Sequence, residues 1–84
     1  MHRTTPRFWR RFDRLPERVQ RTARRNFRLL AENPAHPSLR FKKVGKFWSA
    51  RVGRDYRALA VEDGHDFIWV WVGTHDEYDR LIAS

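Results

Sequence analysis

Eighty-four residues form one small domain, since a chain of this length buries only about 60 to 65% of its unfolded surface and cannot divide its core in two. With no cysteine, neither a disulfide framework nor a thiolate metal site is available, and no apolar run approaches the ~18 residues that span a bilayer. The formal charge of +8 comes from eighteen basic and ten acidic residues, and because fifteen of the eighteen are Arg, whose donor fork matches phosphate oxygens, the expected partner is a nucleic acid or an acidic protein.

In chain order, residues 1–5 are polar and extended, either an edge strand or disordered. Thr5 and Pro6 then start a helix, Thr as N-cap and Pro at the first position, where its missing N–H costs nothing. Phe8, Phe12 and Leu15 give this helix one apolar face, with Arg7, Arg10, Arg11 and Arg14 mainly on the other. Pro16 ends it and opens a second helix to about Glu32, in which Val19, Ala23, Phe27 and Leu30 face inward. Arg18, Arg21, Arg25 and Arg28 fall on its far side. That stripe reads first as a solvated helix face, since charged outer faces are the norm, and alternatively as a grip on an RNA backbone or an acidic partner, for which the scarcity of Glu placed to neutralise it speaks.

Asn33 to Ser38, with two prolines, stops the helix, and the pattern changes from a period of 3.6 to one of 2. Leu39–Val44, Phe47–Val52, Tyr56–Glu62 and Asp66–Gly73 read as strands, joined by turns at Gly45-Lys46, Gly53-Arg54-Asp55 and Asp63-Gly64-His65. The last strand is apolar on both faces and must be covered on both, with Trp69, Trp71 and Phe67 on one of them. A helical turn from Asp76 to Ala83 follows, capped by Thr74 or Asp76. The fold class is therefore α+β: an N-terminal helical hairpin packed on a four-stranded antiparallel sheet, with a short C-terminal helix.

Charge is segregated along this framework. Residues 1–33 carry ten Arg against three acids, 39–57 seven basic residues against one acid, and 58–84 one Arg against six acids. Arg51 and Arg57 lie on rigid strands, with Arg54 in the turn between them and Arg40, Lys42, Lys43 and Lys46 just before, so the sheet offers fixed cations to a polyanion. Arg51 alternates onto the face of Phe47 and Ser49, while Arg57 shares a face with Leu59 and Val61, an awkward place for a charge. His75 and Tyr78 at the start of the last helix are close enough in sequence to act on one ligand, His moving a proton at neutral pH and Tyr donating to an oxyanion or stacking on a base. The four His lack ligand spacing, and no nucleotide-binding Gly loop, nucleophile elbow or paired carboxylates appear, so no cofactor or metal is expected. What this composition supports is the chemistry of a basic ribonuclease, with Arg51, Arg57, Lys42 and Lys43 on the scissile phosphate and His75 with Tyr78 on the protons.

The order of elements, with the strings NPAHPSLRFKKV, FWSARVGRDYRALAV and WVWVGTHDEYDRL, resembles the RelE/ParE toxin superfamily of bacterial toxin–antitoxin systems from about Phe8 to Leu81. The resemblance implies a cytoplasmic toxin held by a cognate acidic antitoxin and, in the RelE-like branch, a metal-independent mRNA endoribonuclease that acts on the ribosome and blocks translation. It places Arg57, Lys42, Lys43, His75 and Tyr78 on family site positions, with Arg51 beside them and Arg40, Lys46 and Arg54 as further RNA contacts. Two departures stand out: the usual first strand is shortened or missing, and a general base in the middle strands has no counterpart, leaving His75 that role. The alternative is a non-catalytic binder of the same fold, either a ParE-like inhibitor of DNA gyrase or an inactive antitoxin-binding protein.

Overall fold

The computed structural model describes residues 1–83, and its first helix starts where the side chains dictate. Helix α1 spans Pro6–Phe12; the Thr5 hydroxyl accepts from the Phe8 N–H at 3.2 Å and donates to the Trp69 carbonyl at 3.1 Å, so the cap also pins the helix to the sheet. It stops short of Leu15 because the chain tightens: Arg14 N–H and Leu15 N–H bond only three residues back, to Arg11 and Phe12. The Gln20 amide then donates to the Phe12 carbonyl, which also accepts from Leu15, and to the Leu15 carbonyl, at 3.2 and 3.1 Å. Helix α2 spans Glu17–Glu32, with Pro16 just outside it as N-cap, its carbonyl accepting from Gln20 N–H.

Five strands follow the order β1-β5-β4-β3-β2, where β1 is His2–Thr4, β2 Lys42–Val44, β3 Phe47–Val52, β4 Tyr56–Asp63 and β5 Asp66–Thr74. Residues 1–5 thus do form an edge strand, parallel to β5 and paired His2 to Phe67 and Thr4 to Trp69, which makes the sheet five-stranded and mixed rather than four-stranded and antiparallel. Three residues carry no readable alternation. The strand is held by tertiary contacts instead, with the His2 ring stacked on Phe67 at 5.4 Å and accepting the Trp69 indole N–H at 3.1 Å. The expected strand from Leu39 is also shorter, because Pro37–Leu39 forms a 3-10 turn and Arg40 adopts left-handed backbone, φ 44°, before β2 begins.

Helix α3 spans His75–Ala83 and lies on the face of the sheet opposite the hairpin of α1 and α2. On the hairpin side Phe8, Phe12, Val19 and Leu30 pack on Ala50, Val52, Ala58, Trp69 and Val72. On the other, Leu59 and Trp71 pack on Tyr78. Trp69 and Trp71 therefore do not share a face. Pairing runs Leu59 to Trp71 but Ala60 to Trp69, so Val70 is an extra residue on β5, and this bulge turns one indole to each layer. Both are core side chains, leaving neither free to stack on a base. No described helix is long and apolar enough to cross a membrane.

Candidate functional site

Register assembles the α3-side face in rows. Arg51 pairs with Arg57 and Arg57 with Gly73; the neighbouring row is Lys42, Ser49, Leu59 and Trp71. Arg57 thus shares its face with Leu59, as alternation requires. It can remain half-buried there because α3 begins beside it and Gly73, opposite, contributes no side chain. A methyl group on Gly73 would come within 2.6 Å of the Trp71 ring and 2.7 Å of a Glu77 carboxylate oxygen, so that gap has to stay empty.

Two arginines directly opposite one another on antiparallel strands repel. Among the described residues neither has a carboxylate within 4.0 Å. Arg57 instead donates to the hydroxyl of Ser49, itself 0% exposed, at 3.3 Å, and its guanidinium carbon lies 5.3 Å from the Tyr78 ring centre. Arg51 Nε donates to the Gly53 carbonyl at 3.0 Å. The His75 ring lies 5.7 Å from Tyr78, so Arg57 and His75 flank the same phenol ring. His75 is 47% exposed on its side chain, and its Nε2 is 3.5 Å from Asp79 one turn on. Tyr78 is only 7% exposed.

The start of α3 is fixed by a capping box. Thr74 Oγ1 accepts from Glu77 N–H at 3.1 Å, and the Glu77 carboxylate accepts from Thr74 N–H at 2.9 Å and from its hydroxyl at 3.1 Å. The other Glu77 oxygen is 3.2 Å from Arg11, which also bonds the Val72 carbonyl at 2.8 Å and lies over Trp71 at 5.1 Å. These contacts hold the Glu77 carboxyl below its ordinary range, the Thr74 backbone N–H foremost, with the Thr74 hydroxyl and Arg11 adding to it and burial working against them. His75 N–H donates to the Asp55 carbonyl at 2.8 Å and ties the helix to the β3–β4 turn. Ser49, Gly73, Arg11 and Glu77 escaped the sequence reading as site residues, although Thr74 followed three places later by Glu77 is a capping signature in plain sight.

The remaining cations disperse. Lys42 lies on the row of Ser49, whereas Lys43 pairs with Trp48 and so belongs to the opposite face, away from Arg57. Lys46 sits in the turn before β3 with its ammonium 5.5 Å from the Phe47 ring. Arg40 is exposed ahead of β2, and Arg54 lines a groove with Arg18 and Thr22 on the hairpin side. The structure therefore brings together Arg57, Tyr78 and His75, with Lys42 on the neighbouring row. Arg51 is the register partner of Arg57 but also lines a groove with Thr22, Arg25 and Asn26 of α2, while Lys43 and Arg54 lie apart from Arg57. Among the described residues no three His, Asp or Glu side chains gather as a metal ion would require.

Residues 17–80 match the family model of the ParE-like toxin domain. No curated protein matches the chain. Among solved structures, the fold is similar to YafQ from E. coli strain BL21(DE3), at TM-score 0.73 and 13% identity over 93% of this chain and 96% of that one. It is similar to a RelB-RelE antitoxin-toxin complex from Methanococcus jannaschii, at TM-score 0.73 and 17% identity with the same coverage. The RelBE2 toxin-antitoxin complex from Mycobacterium tuberculosis aligns at TM-score 0.67 and 22% identity, over 89% of this chain and 96% of that one. At such identities the likeness is one of fold.

Proposed function

We propose a function from this premise: the chain belongs to the ParE-like toxin family, within the RelE/ParE superfamily of toxin–antitoxin toxins. The reading is that it is an mRNA endoribonuclease acting without a metal, on the ribosome, and restrained by an acidic antitoxin. One observation carries it: Arg57, half-buried and paired in register with Arg51, has among the described residues no carboxylate within 4.0 Å and lies against Tyr78, whose ring also meets His75. Anchored cations in a half-buried place hold a phosphate and steady the charge that builds on it as it reacts. The RNA 2′-oxygen attacks the adjacent phosphorus while its proton passes to His75, and the P–O5′ bond breaks. The 5′-oxygen takes a proton from water, and a 2′,3′-cyclic phosphate remains. Lys42 replaces Lys43 as the lysine on this face. An antitoxin segment laid across Arg51 and Arg57 would neutralise them and close the site.

Primer extension on mRNA from cells expressing the wild type, or a variant carrying His75→Ala with Arg57→Ala, tests the reading. Cleavage should fall by roughly 100-fold or more in the variant, and undiminished cleavage refutes it. The burial of Tyr78 favours a second reading, a non-catalytic toxin that inhibits DNA gyrase or only binds its antitoxin. Growth arrest with intact mRNA and accumulated DNA breaks would select the gyrase form.

A further inference from the structure

Helix α2 turns Val19, Ala23, Phe27 and Leu30 to the sheet, so its period places Arg18, Arg21, Arg25 and Arg28 on the outside, all exposed. Like charges at three- and four-residue spacing work against a helix. Little offsets them here: Arg21 has Glu17 at 3.1 Å, while among the described residues Arg18, Arg25 and Arg28 have no carboxylate within 4.0 Å. Arg24 has another task, its guanidinium lying 4.9 Å from the Phe12 ring centre and 5.7 Å from that of Trp9, across the seam between α1 and α2. The β3–β4 turn lengthens the row. Gly53, at φ +65°, packs so that a Cβ would sit 3.5 Å from the Thr22 methyl, and this close approach sets Arg54 in one groove with Arg18. The surface lies on the hairpin side of the sheet, whereas Arg57, Tyr78 and His75 lie on the α3 side.

We propose that the outer face of α2, continued by Arg54, is a second polyanion site that grips the phosphate backbone of RNA on the side of the molecule away from the cleavage face. The ten helical steps from Arg18 to Arg28 cover about 15 Å. One strand of duplex DNA presents a phosphate about every 3.4 Å, and an RNA duplex is of the same order, so about four or five fall along the four guanidinium groups. Each planar fork can take two oxygens of one phosphate. Contacts to phosphate alone position the protein without reading bases, so this grip is independent of sequence. It retains the protein on structured RNA while the other face stays open to the strand that is cut. The choice of RNA over another polyanion rests on the nuclease reading; the existence of the site does not.

The test is fluorescence anisotropy with an RNA hairpin in a salt titration, using the protein carrying His75→Ala with Arg57→Ala so that the RNA stays intact. Adding Arg18→Gln, Arg25→Gln and Arg28→Gln should weaken binding at least about tenfold and flatten the log–log salt slope by about 2.7, or 0.9 for each lost contact. Glutamine preserves helix propensity, and a circular dichroism melt verifies folding. A parallel Arg→Lys triple keeps the charge and should keep the slope. An unchanged slope in the Gln variant overturns the site. Tighter binding of an acidic peptide of equal charge also overturns it, making the face a protein-docking surface, and tighter binding of duplex DNA overturns the assignment to RNA. If primer extension shows no cleavage while the Gln variant loses slope, the nuclease reading fails and this site stands.

Discussion

Glu77 offers the sharpest test of how the site is held, because one carboxylate joins α1, β5 and α3. Glu77→Ala removes the acceptor for the Thr74 N–H and hydroxyl, and the partner of Arg11. A lost cap of this kind costs about 0.5 to 2 kcal/mol. The pair with Arg11, at 30% and 44% side-chain exposure, is screened by water and adds about 0.2 to 1 kcal/mol. Part of the arrangement survives, since Thr74 Oγ1 still accepts from the backbone N–H of residue 77 and Arg11 keeps the Val72 carbonyl. A net loss of about 1 to 2 kcal/mol follows, which lowers Tm by roughly 4 to 15 °C in a domain of this size. Glu77→Gln retains an acceptor without the charge and should lose about half as much.

The same carboxylate gives the loss a pH signature. Its folded pKa lies below its unfolded value, so its stabilisation is complete above the ordinary carboxylate range, about 4.3, and disappears as pH falls through the lower folded value. Urea unfolding of wild type, Glu77→Gln and Glu77→Ala at about pH 7 and again near pH 2 to 3 reads this directly. The gap between wild type and Glu77→Ala should shrink in acid. A gap independent of pH, or a Gln variant as damaged as the Ala variant at pH 7, would refute the capping box as the clamp on α3.

Gly73→Ala drives a methyl group into the Trp71 ring and the Glu77 carboxylate, costing about 1 to 3 kcal/mol, and a thermal melt equal to wild type would disprove the packing. Burial, then the neighbouring N-terminal amino charge, holds the His2 pKa below its ordinary value, so its contribution to stability is present above about pH 6.5 and declines as pH falls towards the folded value. Replacing it in His2→Phe should flatten the pH dependence of unfolding between about pH 7 and 5, and an unaltered dependence would exclude His2 as its source. Ser49→Ala frees the Arg57 guanidinium, so under the proposed chemistry cleavage should slow by about tenfold or more while the melt changes little. A rate equal to wild type would mean that Ser49 does not position Arg57.

The amino-acid sequence determined the elements and the charge. Thr5-Pro6, the spacing of Val19 and Phe27, the prolines after Glu32 and the Gly-containing turns made the hairpin and three of the five strands legible within a few residues, because caps and periodicity are local physics. The apolar run of β5 announced its burial on both faces for the same reason. Only the tertiary structure decided which side each strand residue takes. The extra residue at Val70 separates Trp69 from Trp71, and pairing with Trp48 sends Lys43 away from Arg57. Strand β1 exists because Phe67 and Trp69 receive it, and Arg57 finds room beside the start of α3 because Gly73, opposite it, contributes no side chain. Register and bulges are set by hydrogen bonds and packing between residues far apart in the chain, and a single inserted residue inverts everything that alternation foretells.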